Sequence, residues 1–119
     1  MSTGVHFEIP ADDIKRAKDF YTQLFGWGIE EMKGMDYWMI TTSGNSAVNG
    51  GMMKRQSPQQ GITNYIDVPS VVDHAALVEK LGGKIIMPKT AVPGMGYFAV
   101  CLDTENNPFG LWEVSSDAK

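Results

Sequence analysis

The sequence predicts an α+β fold built from two tandem βαβββ modules. The first observation behind this prediction is an internal repeat, because residues of the same chemical class recur when the second half of the chain is laid on the first. The matched pairs include Ile9 with Ile66, Phe20 with Leu77, Leu24 with Leu81 and Gly26 with Gly83. The second observation is that each half shows the same order of patterns: a strand, an amphipathic helix and three further strands.

The first half opens with a strand and a capped helix. Residues 5–9 alternate between apolar and polar side chains, which is the period-two pattern of a half-buried strand. Asp12 or Asp13 can cap the helix that follows, and Gly26 ends it. Three strands are then predicted at 27–32, 37–42 and 47–54, with turns at Gly34 and Gly44-Asn45.

The second half repeats this order. Residues 65–68 form the predicted strand, and Ser70 with Asp73 resembles a capping box at the start of the helix. Gly82 and Gly83 end that helix. The predicted strands after it span 84–87, 97–102 and 109–114. The polar segment 55–61 is the predicted linker, so one domain contains module one at about 4–54 and module two at about 62–115.

Composition and charge restrict the class of protein. Of the 119 residues, 43% are hydrophobic and 20% are charged, as in a folded globular domain. The net charge of −4 and the lack of a basic run argue against binding to nucleic acid or to a membrane surface. The single cysteine, Cys101, is expected to be a small core residue. Because the sequence shows neither a membrane-spanning stretch nor a signal peptide, we expect a cytoplasmic protein.

Two segments carry a family resemblance. They are HFEIPADDIKRAKDFYTQLFGW in module one and NYIDVPSVVDHAALVEKLGGKIIMPKTAVPGMGYFAVCLDTENNPFGLWEV in module two. With the βαβββ repeat, they resemble the vicinal oxygen chelate superfamily, which includes glyoxalase I, bleomycin-resistance proteins, extradiol dioxygenases and several epimerases. The resemblance implies an eight-stranded, incompletely closed, barrel-like sheet with two helices outside and a cup for a small molecule.

The resemblance also implies a divalent metal such as Zn, Ni, Mn or Fe in the cup, held by the first and last strands of each module. The corresponding positions are His6, Met53, Thr63 and Glu113. His6 and Glu113 are suitable ligands, whereas a thioether and a threonine hydroxyl are poor ligands for these metals. Catalytic metals usually have three or more protein ligands, so we expect a degenerate metal site and no certain cofactor.

Further side chains are candidates for the lining of the cup. Glu8 shares the face of His6, because alternate residues of a strand point to the same side. Glu113 lies in an apolar run and is the candidate catalytic base for proton abstraction next to a carbonyl. The candidate substrate-binding residues are Glu8, Trp38, Met53, Thr63, Tyr97 and Trp112. Eight methionines and several aromatic residues suit a pocket for an apolar or aromatic ligand.

The sequence therefore favours a glyoxalase/bleomycin-resistance-like protein that binds a small molecule. One alternative is a metal-dependent lyase, isomerase or dioxygenase that uses His6 and Glu113. Another is a non-catalytic interaction module. We expect a homodimer, because a half-open sheet needs its edges covered and two-fold pairing is the commonest way to do so.

Overall fold

The computed structural model describes residues 4–42 and 49–119. The strands are β1 (Val5–Ala11), β2 (Gly28–Glu31), β3 (Tyr37–Thr41), β4 (Gly50–Lys54), β5 (Thr63–Asp67), β6 (Lys84–Val92), β7 (Gly96–Leu102) and β8 (Pro108–Val114). The helices are α1 (Ile14–Phe25) and α2 (Val71–Lys80). The chain folds into two compact units. Module one is His6–Thr63, and module two is Asn64–Lys119 together with Gly4 and Val5.

Module one is a four-stranded sheet covered by α1 on one face. Its strand order is β2-β3-β4-β1, with β1 and β4 parallel and the other pairs antiparallel. The carboxylate of Asp13 caps α1 by accepting a hydrogen bond from the Arg16 N–H, and Gly26 ends the helix at a φ of 75°. The core consists of Ile9, Ala11, Ile29, Ile40 and Met52, with Ile14, Ala17 and Tyr21 of α1 packed against it.

Module two has the same layout. Its strand order is β5-β8-β7-β6, with β5 and β8 parallel and the other pairs antiparallel. The Ser70 hydroxyl caps α2 by accepting a hydrogen bond from the Asp73 N–H. The core consists of Val68, Val71, Ala99, Cys101 and Leu111, with Ala75 and Val78 of α2 packed against it.

The predicted α+β fold class is confirmed, since the order βαβββ occurs twice. The predicted caps at Asp13, Gly26 and Ser70 are also confirmed. The prediction that Gly82 and Gly83 end α2 is confirmed, because the helix stops at Lys80, Gly82 has a φ of 101° and the Gly83 N–H donates to the Val78 carbonyl. The largest difference from the prediction is in β6, which continues to Val92 because it stays paired with β7 through register shifts. The predicted turn and strand residues at 44–48 lie outside the described residues.

Both helices keep apolar side chains at the surface. In α1, Phe20 is 59% exposed and Leu24 is 57% exposed. At the equivalent positions of the repeat, Leu77 is 46% exposed and Leu81 is 73% exposed. The apolar stripe of each helix is therefore only partly covered by its own module. Across the described ranges, neither helix is long and apolar enough to cross a membrane.

Candidate functional site

Each module has a helix face and a distal face of its sheet. Ile9, Ile40 and Met52 pack in the core with α1, so they lie on the helix face of module one. Residues that alternate with them lie on the distal face, because side chains of a strand point to opposite sides in turn. The distal positions include His6 and Glu8 on β1, Tyr37 and Met39 on β3, and Gly51 and Met53 on β4.

Glu8 and Tyr37 form a polar pair on the distal face of module one. The Tyr37 hydroxyl donates a hydrogen bond to Oε2 of Glu8 over 3.0 Å, and both side chains are half-buried. Burial raises the pKa of the Glu8 carboxyl, and the bond from Tyr37 partly opposes this change. Glu8 is therefore a carboxyl group removed from bulk water and oriented by a specific donor.

Gly51 is the reason that this pair can form. Glu8 is opposite Gly51 in the β1–β4 pairing, and Tyr37 reaches it from β3. A Cβ at position 51 would lie 1.7 Å from the Tyr37 Oη and 2.0 Å from its Cζ. The phenol ring thus lies directly on the glycine backbone, which is a known use of glycine inside a strand.

Two methionines, Met39 and Met53, lie on the same face as the Glu8–Tyr37 pair. Met53 is opposite Tyr37 in the β3–β4 pairing and is half-buried. Met39 is opposite Gly51 and is 43% exposed. A small number of oriented polar groups within flexible, apolar surroundings is the usual composition of a small-molecule site.

His6 occupies the same distal face, two residues before Glu8, and is half-buried. Within the described ranges, no three His, Cys, Asp or Glu side chains come together as a metal-binding group. The four positions that the resemblance implies contain two suitable ligands, and the second of these, Glu113, is engaged elsewhere. The donor set therefore does not fit the implied metal.

Glu113 lies on the helix face of module two. It is opposite Tyr97 in the β7–β8 pairing, and Tyr97 packs against the helix-side core. Its Oε1 accepts a hydrogen bond from the Val71 N–H over 2.9 Å. Val71 is the first residue of α2, so the carboxylate satisfies a backbone donor that has no partner within the helix. Its predicted catalytic and metal-binding roles stay predictions.

The remaining predicted residues divide between the two faces. Trp38 packs against the core of module one and Tyr97 against that of module two, so both lie on the helix faces and their substrate-binding roles stay predictions. Met53 is on the distal face, as expected from its place on β4. Thr63 is half-buried at the start of β5, and its hydroxyl donates to the Gly61 carbonyl over 3.4 Å.

Trp112 belongs to an aromatic distal face in module two. It is opposite Phe98 in the β7–β8 pairing, and the rings of Phe98 and Tyr65 meet edge-on with centroids 6.4 Å apart. Trp112 lies over Gly96, and Tyr65 lies over Gly110. This face therefore offers the ring surfaces of Tyr65, Phe98 and Trp112.

Sequence reasoning missed Tyr37 and Gly51 as site residues. Their contact depends on the register between β1, β3 and β4, which a strand pattern does not give. The available signal was the pair Gly50-Gly51 inside a predicted strand, because glycine in a strand interior often marks a close approach by another group.

Comparison with known proteins supports the family resemblance. A family model described as "Bleomycin resistance protein-like N-terminal" matches residues 3–43. The protein CFP32 of Mycobacterium tuberculosis is 28% identical over 115 residues, which cover 91% of this chain and 44% of CFP32. The anthracycline biosynthesis protein DnrV of Streptomyces peucetius is 28% identical over 123 positions, which cover 89% of this chain and 45% of DnrV. The chain thus spans less than half the length of these two relatives.

Solved structures show the same fold. A glyoxalase/bleomycin resistance protein/dioxygenase superfamily member from Vibrio splendidus aligns with a TM-score of 0.68 and 13% identity, over 96% of this chain and 100% of that one. The predicted resemblance to the vicinal oxygen chelate superfamily is confirmed. The chain is similar to glyoxalase/bleomycin-resistance-like proteins over most of its length.

Proposed function

We propose that this protein binds a small organic molecule on the distal face of module one, without a metal held by the chain. The Glu8–Tyr37 hydrogen bond is the observation that carries the proposal. A half-buried carboxyl is costly unless something compensates it, and carboxyl groups of this kind are frequent at functional sites. Met39 and Met53 supply adaptable apolar contacts beside it.

The comparisons suggest which compounds to try first. One relative is named for anthracycline biosynthesis, and the matching family model is named for bleomycin resistance. Both names refer to large natural products: anthracyclines have an extended aromatic body, and bleomycin is a polar glycopeptide. Daunorubicin and bleomycin are therefore the first probes for this chain.

Isothermal titration with these two compounds tests the proposal. We expect the wild-type protein to bind at least one of them, and Glu8→Gln and Tyr37→Phe to bind it about tenfold or more weakly, as for the loss of a hydrogen bond to a charged group. Glu31→Gln is the matched control, because Glu31 is opposite Trp38 and so lies on the helix face of the same sheet. Binding that is unchanged in both Glu8→Gln and Tyr37→Phe would contradict the proposal.

A working metal site is the competing function. It is tested by elemental mass spectrometry of the wild type, His6→Ala and Glu113→Ala after mild incubation with Zn, Ni, Mn and Fe(II). Our proposal predicts no retained metal in any sample. About one metal per chain in the wild type, lost in both variants, would replace it with the metal-dependent lyase, isomerase or dioxygenase.

We also propose that two copies of the chain associate. Supporting this, equivalent positions of the repeat are exposed and apolar in both modules: Phe20 with Leu77, and Leu24 with Leu81. Exposed apolar side chains that cluster on a surface often mark an interface. Light scattering after gel filtration should give twice the chain mass for the wild type and the chain mass for Phe20→Lys with Leu24→Lys. A monomeric wild type would contradict this assembly.

A further inference from the structure

The distal face of module one has an acidic character at its strand positions. Apart from the Glu8 carboxyl, the titratable groups at these positions are His6 on β1, Glu30 on β2 and Tyr37 on β3. The β4 positions are Gly51 and Met53. Lys54 is opposite the buried core residue Ala11 and lies on the helix face. Within the described strands, this face therefore presents no lysine or arginine to balance Glu8.

Only one of the two carboxylate oxygens of Glu8 receives a hydrogen bond from the described part of the chain. Tyr37 directs its hydroxyl to Oε2. The other oxygen, Oε1, accepts no hydrogen bond from the described part of the chain. An ionised carboxylate only accepts hydrogen bonds, so a ligand that reaches this group must bring the donor itself.

The groups around Glu8 suit a positive charge. Hydrogen bonds between a cation and a carboxylate are about twice as strong as neutral ones. The Tyr37 ring and the thioethers of Met39 and Met53 are polarisable and lie on the same face. Aromatic faces attract ammonium and guanidinium groups, and thioethers accommodate the apolar parts of a flexible ligand.

From this arrangement we infer that the ligand is an organic cation, an ammonium or guanidinium group on an apolar body, whose charge meets the Glu8 carboxylate beside Tyr37. The inference rests on the proposed function, which states that this face binds a small molecule but leaves the chemical class open. Glu8 then supplies the charge recognition, Tyr37 fixes the orientation of the carboxylate, and the methionines contact the apolar body.

Two probes of the same length and different charge test this inference: phenylbutylamine, which is a cation at neutral pH, and phenylbutanol, which is neutral. Their dissociation constants can be measured by NMR titration. We expect the amine to bind about tenfold more tightly than the alcohol, the value of one charge-assisted contact. In Glu8→Gln, the two probes should bind within about twofold of each other. Glu30→Gln is the matched control and should keep the preference, because Glu30 is an exposed carboxylate of the same face.

Three other results would overturn the inference that the ligand is a cation. Equal binding of amine and alcohol by the wild type overturns the cation inference and leaves the proposed function standing. A preference that persists in Glu8→Gln also overturns it, because another group then binds the charge. Failure of the amine to bind overturns the inference as well, whereas the proposed function is judged separately by daunorubicin and bleomycin. The melting temperature of each variant verifies that it is folded.

Discussion

Replacing Gly51 with alanine should break the Glu8–Tyr37 pair without touching either residue. The new Cβ would lie 1.7 Å from the Tyr37 Oη and 2.0 Å from its Cζ, far inside van der Waals contact. The tyrosine ring must therefore move by more than about 1.5 Å to reach ordinary contact distance. The hydrogen bond, now 3.0 Å long, cannot survive such a displacement.

Two opposing terms set the size of the effect. Loss of a hydrogen bond to a charged group costs about 1.5–3 kcal/mol, and the half-exposed position of the pair favours the lower end. The change from glycine to alanine also reduces the entropy of the unfolded chain, which stabilises the folded protein by about 0.4–1 kcal/mol. The net free energy of unfolding should fall by about 0.5–1.5 kcal/mol. For a chain of this size, this corresponds to a decrease in melting temperature of roughly 2–8 °C.

Urea denaturation of matched variants provides the assay. Gly28→Ala is the control, because a Cβ at position 28 would meet the Thr41 Cβ at an ordinary 3.9 Å. It should leave stability unchanged or slightly increased. In a Tyr37→Ala background, Gly51→Ala should cost nothing, since the clash and the hydrogen bond are both gone. An equal cost of Gly51→Ala in the two backgrounds would refute the close approach of Tyr37 to Gly51.

Three further predictions concern Glu113, Glu8 and Cys101. Glu113→Ala removes the acceptor at the start of α2 and should lower the free energy of unfolding, measured by urea denaturation, by about 0.5–2 kcal/mol. Glu113→Gln keeps an acceptor oxygen and should lower it less. Equal losses in the two variants would contradict the capping role. Burial raises the pKa of Glu8, so the folded state keeps that proton to higher pH than the unfolded state, and stability is lost as pH rises through the folded pKa. The stability of Glu8→Gln relative to the wild type should therefore increase as the pH rises above about 4.5, the ordinary pKa of glutamate. A constant difference would show that the carboxyl is not desolvated. Burial also raises the pKa of the fully buried Cys101 thiol, so Ellman's reagent should react with it only after unfolding; rapid reaction of the native protein would contradict this burial.

The elements of the fold were predictable because their signals are local. The carboxylate of Asp13, the hydroxyl of Ser70 and the glycine at 26 each act on backbone within a few residues, so the caps follow from the sequence alone. The end of β6 at Val92 was not predictable, because it depends on pairing with a strand formed later in the chain. Local chemistry fixes where an element starts more reliably than how far its pairing continues.

The site was less predictable because it depends on which way side chains point. A glutamate such as Glu113 can act as a base or a metal ligand. In β8, however, its side chain lies on the helix face, where it accepts a hydrogen bond from the Val71 N–H. Tyr37 has no distinctive neighbours in sequence, but the register of β3 and β4 brings its hydroxyl to Glu8. A shift of one residue exchanges the two faces of a strand, so alternation alone does not show on which face a given side chain lies.

The central claim is that the distal face of module one binds the ligand, and the methionines of this module can report it directly. The measurement is an NMR titration of protein with isotope-labelled methionine methyl groups by daunorubicin. Met39 and Met53 lie on the distal face. Met52, which precedes Met53 on β4, is fully buried on the helix face. We predict that the Met39 and Met53 signals shift with daunorubicin and that Met52 shifts far less. Shifts confined to methionines of module two, or no shift at all, would contradict the claim.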